Sequence, residues 1–234
     1  MLAHTFVHGR QTVHAGHAPL VGTTAAVSAF VWLLGLSYLY VELTTQERAM
    51  GVFVLLIAVT LYLIPALDPA VNPRPPLLRS SLFTLHVASM LCAYASFALA
   101  CVIGVTYVLL FTEIKAKHLG FFYARLPSLQ TLDAMNARAV MVGWLFLTTG
   151  LAVGIAWATQ VQSSPDPRAQ AMSLADPKIL FALLCWVVYS FAFLARRAIG
   201  WSGRRAAWLS TFGFIMVLLN FVPVGYFLTK SHNF

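Results

Sequence analysis

The sequence predicts an all-α polytopic membrane protein: a bundle of six transmembrane helices with an amphipathic inner-face connection and both termini outside. Three observations carry this reading. Of 234 residues, 60% are apolar and only 9% charged, where soluble domains run near 45–50% and about 25%. Fifteen Lys/Arg and seven Asp/Glu are too few to clothe a globule of this size, so most of the exterior faces lipid and a soluble enzyme is excluded. The apolar residues also come as six charge-poor stretches, each reaching or approaching the roughly 20 helical residues that cross a hydrocarbon core of about 30 Å. Finally, these stretches are continuously apolar and do not alternate every second residue, which selects helices over a barrel. The net charge of +8 is scattered between the stretches. That pattern fits lipid headgroups as a partner and gives no stripe for nucleic acid.

In chain order, residues 1–20 read as a flexible tail ahead of a single domain, 21–234. The tail holds His4, His8, His14 and His17. Their i,i+4 and i,i+3 spacings would suit metal capture on a helix, but Gly9 and Gly16 argue for a solvated, unordered segment. The expected spans are 21–41, 49–67, 82–112, 137–160, 178–196 and 206–229. The first is too long for a signal-peptide core and lacks a convincing cleavage site, so it belongs with the bundle. The link after the second span, Asp68-Pro69-Ala70-Val71-Asn72-Pro73-Arg74-Pro75-Pro76, is proline-stiffened and cannot be helical. The link from Glu113 to Arg138 sets Ile114, Leu119, Phe121, Phe122 and Leu126 among basic residues, as in a piece lying on the membrane face. In the fourth span, Gly150 and Gly154 form a GxxxG pair, whose usual meaning is close helix contact. Asn220 and Pro223 in the sixth span read as structural.

Orientation follows from the connections. Arg196, Arg197, Arg204 and Arg205 crowd the link between the last two spans, and Lys115, Lys117, Arg125 and Arg138 flank the long one. Both links belong inside by the positive-inside rule. With Arg48 that places nine Lys/Arg inside and six outside.

Few residues can carry chemistry. His86 lies about one turn into the third span, with Ser89, Met90, Ala93 and Tyr94 following at helical spacing. Its imidazole can hydrogen-bond a neighbouring helix, the commoner role of a lone intramembrane histidine, or ligate a metal, haem iron included. His232 shifts the balance toward ligation, because span counting returns it to the same outer face, where two imidazoles can clamp an iron. Arg74, Arg79, Lys178 and Lys230 are also assigned outside, where haem propionates would lie; snorkelling to lipid phosphates is their plainer role. Trp157, Trp186 and Tyr226 near span ends are interfacial anchors by default and porphyrin-stacking surfaces if haem is present. Cys92, Cys101 and Cys185 fall inside apolar runs with no CxxC, CxxCH or zinc spacing, so they read as packing residues. No nucleophile with a partner base, phosphate-cradling loop or HExxH occurs, and no catalytic group of the chain's own is identified. No internal repeat is visible, and no polar pathway for a permease can be traced through the spans.

The stretch Leu85-His86-Val87-Ala88-Ser89-Met90-Leu91-Cys92-Ala93-Tyr94-Ala95, then Leu126-Pro127-Ser128-Leu129-Gln130-Thr131-Leu132-Asp133, Gly154-Ile155-Ala156-Trp157-Ala158, Asp176-Pro177-Lys178 and Gly200-Trp201-Ser202-Gly203-Arg204-Arg205-Ala206-Ala207 resemble, in that order, the cytochrome c assembly family of CcsA/CcmC/HemX-like membrane proteins. The resemblance covers about residues 80 to 234. It implies non-covalent haem held at the outer face of the cell's inner membrane for delivery to apocytochrome c with another assembly subunit. His86 and His232 match the axial-ligand positions, and Trp157 with Asp176 and Lys178 match the edges of the family's tryptophan-rich segment. The centre of that segment, Gln162 to Ala175, has no aromatic residue, which removes stacking area against a porphyrin and places the chain nearest the HemX-like branch. A haem-free accessory or regulatory subunit that keeps only the scaffold is the alternative expectation.

Overall fold

A computed structural model describes residues 2–15, 23–67, 80–117, 120–162 and 177–220. The described residues form eight helices: α1 (Leu2–Ala15), α2 (Thr23–Thr45), α3 (Gly51–Leu67), α4 (Ser81–Lys115), α5 (Phe121–Arg125), α6 (Leu129–Gln162), α7 (Pro177–Ala198) and α8 (Arg204–Leu219). Four are long and apolar enough to cross a membrane: Thr24–Thr45, Ser81–Lys115, Leu129–Val161 and Ile179–Ala198. The chain is therefore a multi-pass membrane protein, although six spans are not reached within the described residues. The second expected span is a shorter apolar helix, and the sixth runs past the last described position.

The bundle is organised around α4, whose interior positions from Ala93 to Ala100 are almost all sealed from the surface. Helix α6 runs antiparallel along it: Phe83 faces Trp157, Phe97 faces Gly143, and Ala100 faces Asn136. Missing side chains set the spacing, since a Cβ on Gly143 would collide with the Phe97 ring. On its other face Phe97 stacks on Tyr189 of α7, with centroids 3.5 Å apart and planes 7° from parallel. Helix α8 is antiparallel to α4 as well, and Gly104 allows the approach, because a Cβ there would lie 2.7 Å from the Ala207 carbonyl oxygen. With no hydrophobic drive between helices in lipid, small residues and interhelical hydrogen bonds hold such contacts. One polar knot does so here. Asn136 Nδ2 donates to Ala100 O and Ser210 Oγ, both at 2.8 Å, joining α4, α6 and α8. Two more bonds tie α6 to α7, from Trp144 Nε1 to Ser190 Oγ at 2.8 Å and from Trp186 Nε1 to Thr148 Oγ1 at 2.9 Å. Trp186 is half-buried and ties α7 to α6 through this bond.

Two features add to or depart from the sequence reading. Between Glu113 and Arg138, α4 reaches Lys115 and α6 begins at Leu129, with the five-residue α5 among the described residues between them. At about 1.5 Å per residue the 35-residue α4 is roughly 50 Å long, so it projects well beyond a hydrocarbon core of about 30 Å. The apolar residues read as a surface-lying segment partly belong to that projection. Helix α3 is also the most lipid-facing element, with Val52, Leu55, Leu56 and Val59 all well exposed.

The second feature is the tail. Leu2–Ala15 is helical and packs on α2 and α3, where the glycines favoured disorder. Tertiary contacts override propensity. His4 Nε2 and His8 Nε2 each lie within hydrogen-bond distance of Ser28 Oγ, at 3.2 and 3.3 Å, and Trp32 Nε1 donates to Thr5 Oγ1 at 2.9 Å. Burial pushes both imidazoles below their ordinary value of 6.5, and for His4 the facing His8 adds to the effect. The docked helix therefore resists protons that the undocked one accepts. Docking is at full strength above about pH 6.5 and weakens as pH falls from there toward the docked values. Amide hydrogen exchange across residues 2–15, corrected for intrinsic rates, is expected to be several-fold faster at pH 5 than at pH 7.5; equal protection at both would remove the pair as the contact that holds α1.

Candidate functional site

The site grows from the start of α4. Ser80, in extended conformation (φ −61°, ψ 140°), caps the helix by accepting from Leu82 N at 3.2 Å. This is the standard way to satisfy an orphan amide at a helix N-terminus, and it fixes the register that puts His86 between one and two turns in. The imidazole points across to α6. Its Nδ1 lies 2.8 Å from the Gly150 carbonyl oxygen, and since a carbonyl can only accept, Nδ1 carries the proton. In its neutral form such a ring carries its lone pair on Nε2. This is the arrangement by which metal-binding histidines are oriented: one nitrogen donates to a carbonyl, fixing tautomer and ring plane for the other.

Gly154 makes the seat. A Cβ there would lie 2.6 Å from His86 Nδ1 and 2.7 Å from its Cε1, while one on Gly150 would meet Met90 Sδ at 2.9 Å. The GxxxG pair is the close helix contact its spacing predicts; an imidazole and a thioether fill the notch first, with the Met90 backbone N next at 3.4 Å from a Cβ on Gly150. One turn further along α6, Trp157 is 5% exposed and packs on Phe83, with ring centroids 5.0 Å apart at 56°. Val161 completes this small cluster, and Leu82 and Val87 lean on it. The Trp157 ring is thus enclosed between α4 and α6, and its flat face is not the open stacking surface the sequence allows for. Its Nε1, together with Arg138 Nη1 and Asn220 Oδ1, is a buried polar atom without a hydrogen-bond partner among the described residues. A buried donor left this way is costly by about 1–3 kcal/mol unless an acceptor arrives.

Of the residues singled out from sequence, the structure therefore brings together His86 and Trp157. Lys178 stands in the first turn of α7; because α7 is antiparallel to α6, that turn is at the same end of the bundle as Ser80 and Gln162. Arg74, Arg79, Asp176 and His232 lie outside the described residues. Gly150, Gly154 and Met90 belong to the site through what they do to His86 or beside it. Their signal was present in the GxxxG spacing, which marks a groove without saying what enters it. Among the described residues no group of three or more His, Cys, Asp or Glu side chains converges to hold a metal. The donor this end offers among the described residues, the His86 imidazole, is of a chemical type that suits a haem iron.

The opposite end holds a second assembly. Asp133, near the start of α6, receives Arg196 in a fork, Nη1 to Oδ1 at 3.0 Å and Nη2 to Oδ2 at 2.6 Å, and accepts from Gly203 N at 2.7 Å. Gly203 precedes α8 with φ +64°, and a Cβ there would lie 2.8 Å from the Tyr107 hydroxyl. Conformation and space both call for glycine here. Two stretches that carry the family resemblance, Leu126 to Asp133 and Gly200 to Ala207, are thus joined by this carboxylate.

Comparisons with known proteins give the family. Cytochrome c biogenesis protein CcsA of Chlorella vulgaris is 26% identical over 255 residues, covering 95% of this chain and 79% of the relative. CcsA of Prochlorococcus marinus (strain MIT 9303) is 26% identical over 252 residues, 94% of this chain and 76% of the relative. That of Guillardia theta is 24% identical over 250 residues, 98% of this chain and 81% of the relative. The model of the cytochrome C assembly protein family matches residues 20–232, which takes in all of α2 to α8 and the His86 notch, and the chain belongs to that family.

Proposed function

We propose that this chain is a haem-handling membrane subunit of cytochrome c biogenesis that holds haem non-covalently at the outer face of the cell's inner membrane. The observation that supports it best is the seating of His86: its Nδ1 lies 2.8 Å from the Gly150 carbonyl oxygen, the contact by which metal-binding histidines are commonly oriented. His86 and His232 would hold the iron, Arg74, Arg79 and Lys178 would pair with the propionates, and Trp157 with Asp176 would border the group, which could give the Trp157 N–H an acceptor. Bound haem supplies an iron centre and the vinyl groups destined for the apocytochrome; the chain itself orients and releases it. Six spans and termini outside accompany this reading, supported by nine Lys/Arg on the Asp133 end against six elsewhere. Delivery involves apocytochrome c and a second assembly subunit, for which the exposed apolar flank of α3 is available in the lipid.

The test is the visible spectrum of the full chain purified in mild detergent, oxidised and reduced. A low-spin bis-histidine signature is expected, and a colourless protein that reconstitutes no such signature with added haem overturns the reading. One observation favours a second, haem-free role of the HemX-like type: Gln162 to Ala175 contains no aromatic residue. A colourless chain that still copurifies stoichiometrically with a membrane partner would select that alternative.

A further inference from the structure

Haem handling makes no use of the N-terminal helix, yet α1 holds its own converging donors. His4 and His8 stand one turn apart with rings nearly parallel, centroids 4.8 Å apart and planes at 23°. Their Nε2 atoms are 3.1 Å from each other, and lie 3.2 and 3.3 Å from Ser28 Oγ on α2. Three donor atoms therefore form a near-equilateral triangle. A tetrahedral cation at about 2.0–2.1 Å from imidazole nitrogens sets two of them about 3.3 Å apart, the edge of such a triangle. The rings are held from behind: Tyr62 of α3 meets His4 edge-on at 4.9 Å, and the Trp32 ring lies 5.8 Å from His8.

We propose that His4 and His8 form a two-nitrogen chelate for an imidazole-preferring divalent first-row cation of the Zn2+, Ni2+ or Cu2+ class, with the Ser28 hydroxyl on the third side and water completing the shell. The spacing is what a helix offers for chelation, since residues i and i+4 share a face. Neutral nitrogens select this class over Mg2+ and Ca2+, which take oxygen ligands. Bound metal takes the place of the proton between the two rings, which moves to Nδ1 of the same imidazole as its tautomer changes, and staples α1 to α2, so the N-terminal helix becomes metal-dependent in its docking.

The test uses the full chain in detergent, freed of metal by chelator, with Cu2+ or Zn2+ alone as probe. One equivalent of Cu2+ is expected, with an electron paramagnetic resonance spectrum showing two coupled nitrogens. Zn2+ added alone to the metal-free chain should slow amide exchange across residues 2–15 and be displaced by Cu2+, as the usual affinity order for such ligands requires, while Mg2+ does neither. His4→Gln and His8→Gln, which keep a good helix former at each place, should each weaken binding at least about 10-fold, because either loss destroys the chelate; His14→Gln should not. Unchanged affinity or nitrogen coupling in the double His4→Gln/His8→Gln variant overturns the site, as does slowing of exchange by Mg2+ equal to that by Zn2+. The haem spectrum of that variant is expected to be unaltered, so this experiment and the one on His86 succeed or fail separately.

Discussion

Alanine at position 86 is expected to abolish the haem signature and to lower cytochrome c maturation by more than about 100-fold. Loss of a group that merely orients a ligand typically weakens metal binding about 10–100-fold, and here the ligand itself would go. The substitution alone does not separate ligation from packing, since the ring also fills the notch between α4 and α6. The glycine pair separates them. Gly154→Ala would put a methyl 2.6 Å from His86 Nδ1, forcing the ring off its bond to the Gly150 carbonyl while leaving the imidazole in place. Haem affinity should fall about 10–100-fold and the absorbance bands should shift. Gly150→Ala would press on the Met90 thioether, at 2.9 Å, a flexible end that can turn aside. That variant should keep the haem spectrum and, having lost a mid-helix glycine, gain or hold stability by up to about 1 kcal/mol. Equal haem loss in both glycine variants would mean that helix spacing, and not the seating of His86, sets affinity. Purified protein titrated with haem, with maturation scored by covalent haem stain of a reporter cytochrome, reads both quantities.

What was legible in the sequence was whatever a single residue type or a periodicity announces alone. Continuous apolar runs announced helices and lipid. GxxxG announced a groove. Partners across the groove were not legible, because antiparallel register between α4 and α6 is set by which bulky residue meets which glycine: Phe97 with Gly143, Met90 with Gly150, His86 with Gly154. Each pair is separated by dozens of residues, and no local pattern encodes it. The N-terminal helix was missed for a related reason. Gly9 lowers helix propensity locally, but a Cβ there would meet nothing within 4 Å, so the glycine has no packing role and the helix is held by Ser28 and Trp32 of another element. The length of α4 was underestimated because Glu113 and Lys115 end the apolar run before the helix ends; charges mark the edge of the membrane, whereas the helix stops two residues before Lys117 takes up φ +55°.

The largest loss of stability is expected at Asp133, a residue the apolar reading of the chain passes over. Its carboxylate is the meeting point of three helix ends: its own on α6, the last turn of α7 through Arg196, and the residue before α8 through Gly203 N. The pair is only partly wet, with side chains 18% and 31% exposed for Asp133 and Arg196. It sits between the near-zero worth of a surface ion pair and the 3–5 kcal/mol penalty of breaking a buried one. Bidentate geometry and the third bond to a backbone amide push it upward. Asp133→Ala strands the guanidinium and the Gly203 amide together, and should cost about 2–3 kcal/mol, seen as a lower midpoint in urea or in thermal unfolding of the detergent-solubilised chain. Asp133→Asn keeps shape and one acceptor but removes the charge, and should cost about half as much. Arg196→Ala leaves the carboxylate still bonded to Gly203 N, so it should be milder than Asp133→Ala. The double variant should then be little worse than Asp133→Ala alone, because the second truncation removes a group already without its partner. Strict additivity would mean that the two side chains act independently and that the fork contributes nothing to holding α6, α7 and α8 together. A loss at this end should also leave the spectrum of bound haem unshifted in the fraction that stays folded, since His86 and its seat lie at the other end of α4 and α6.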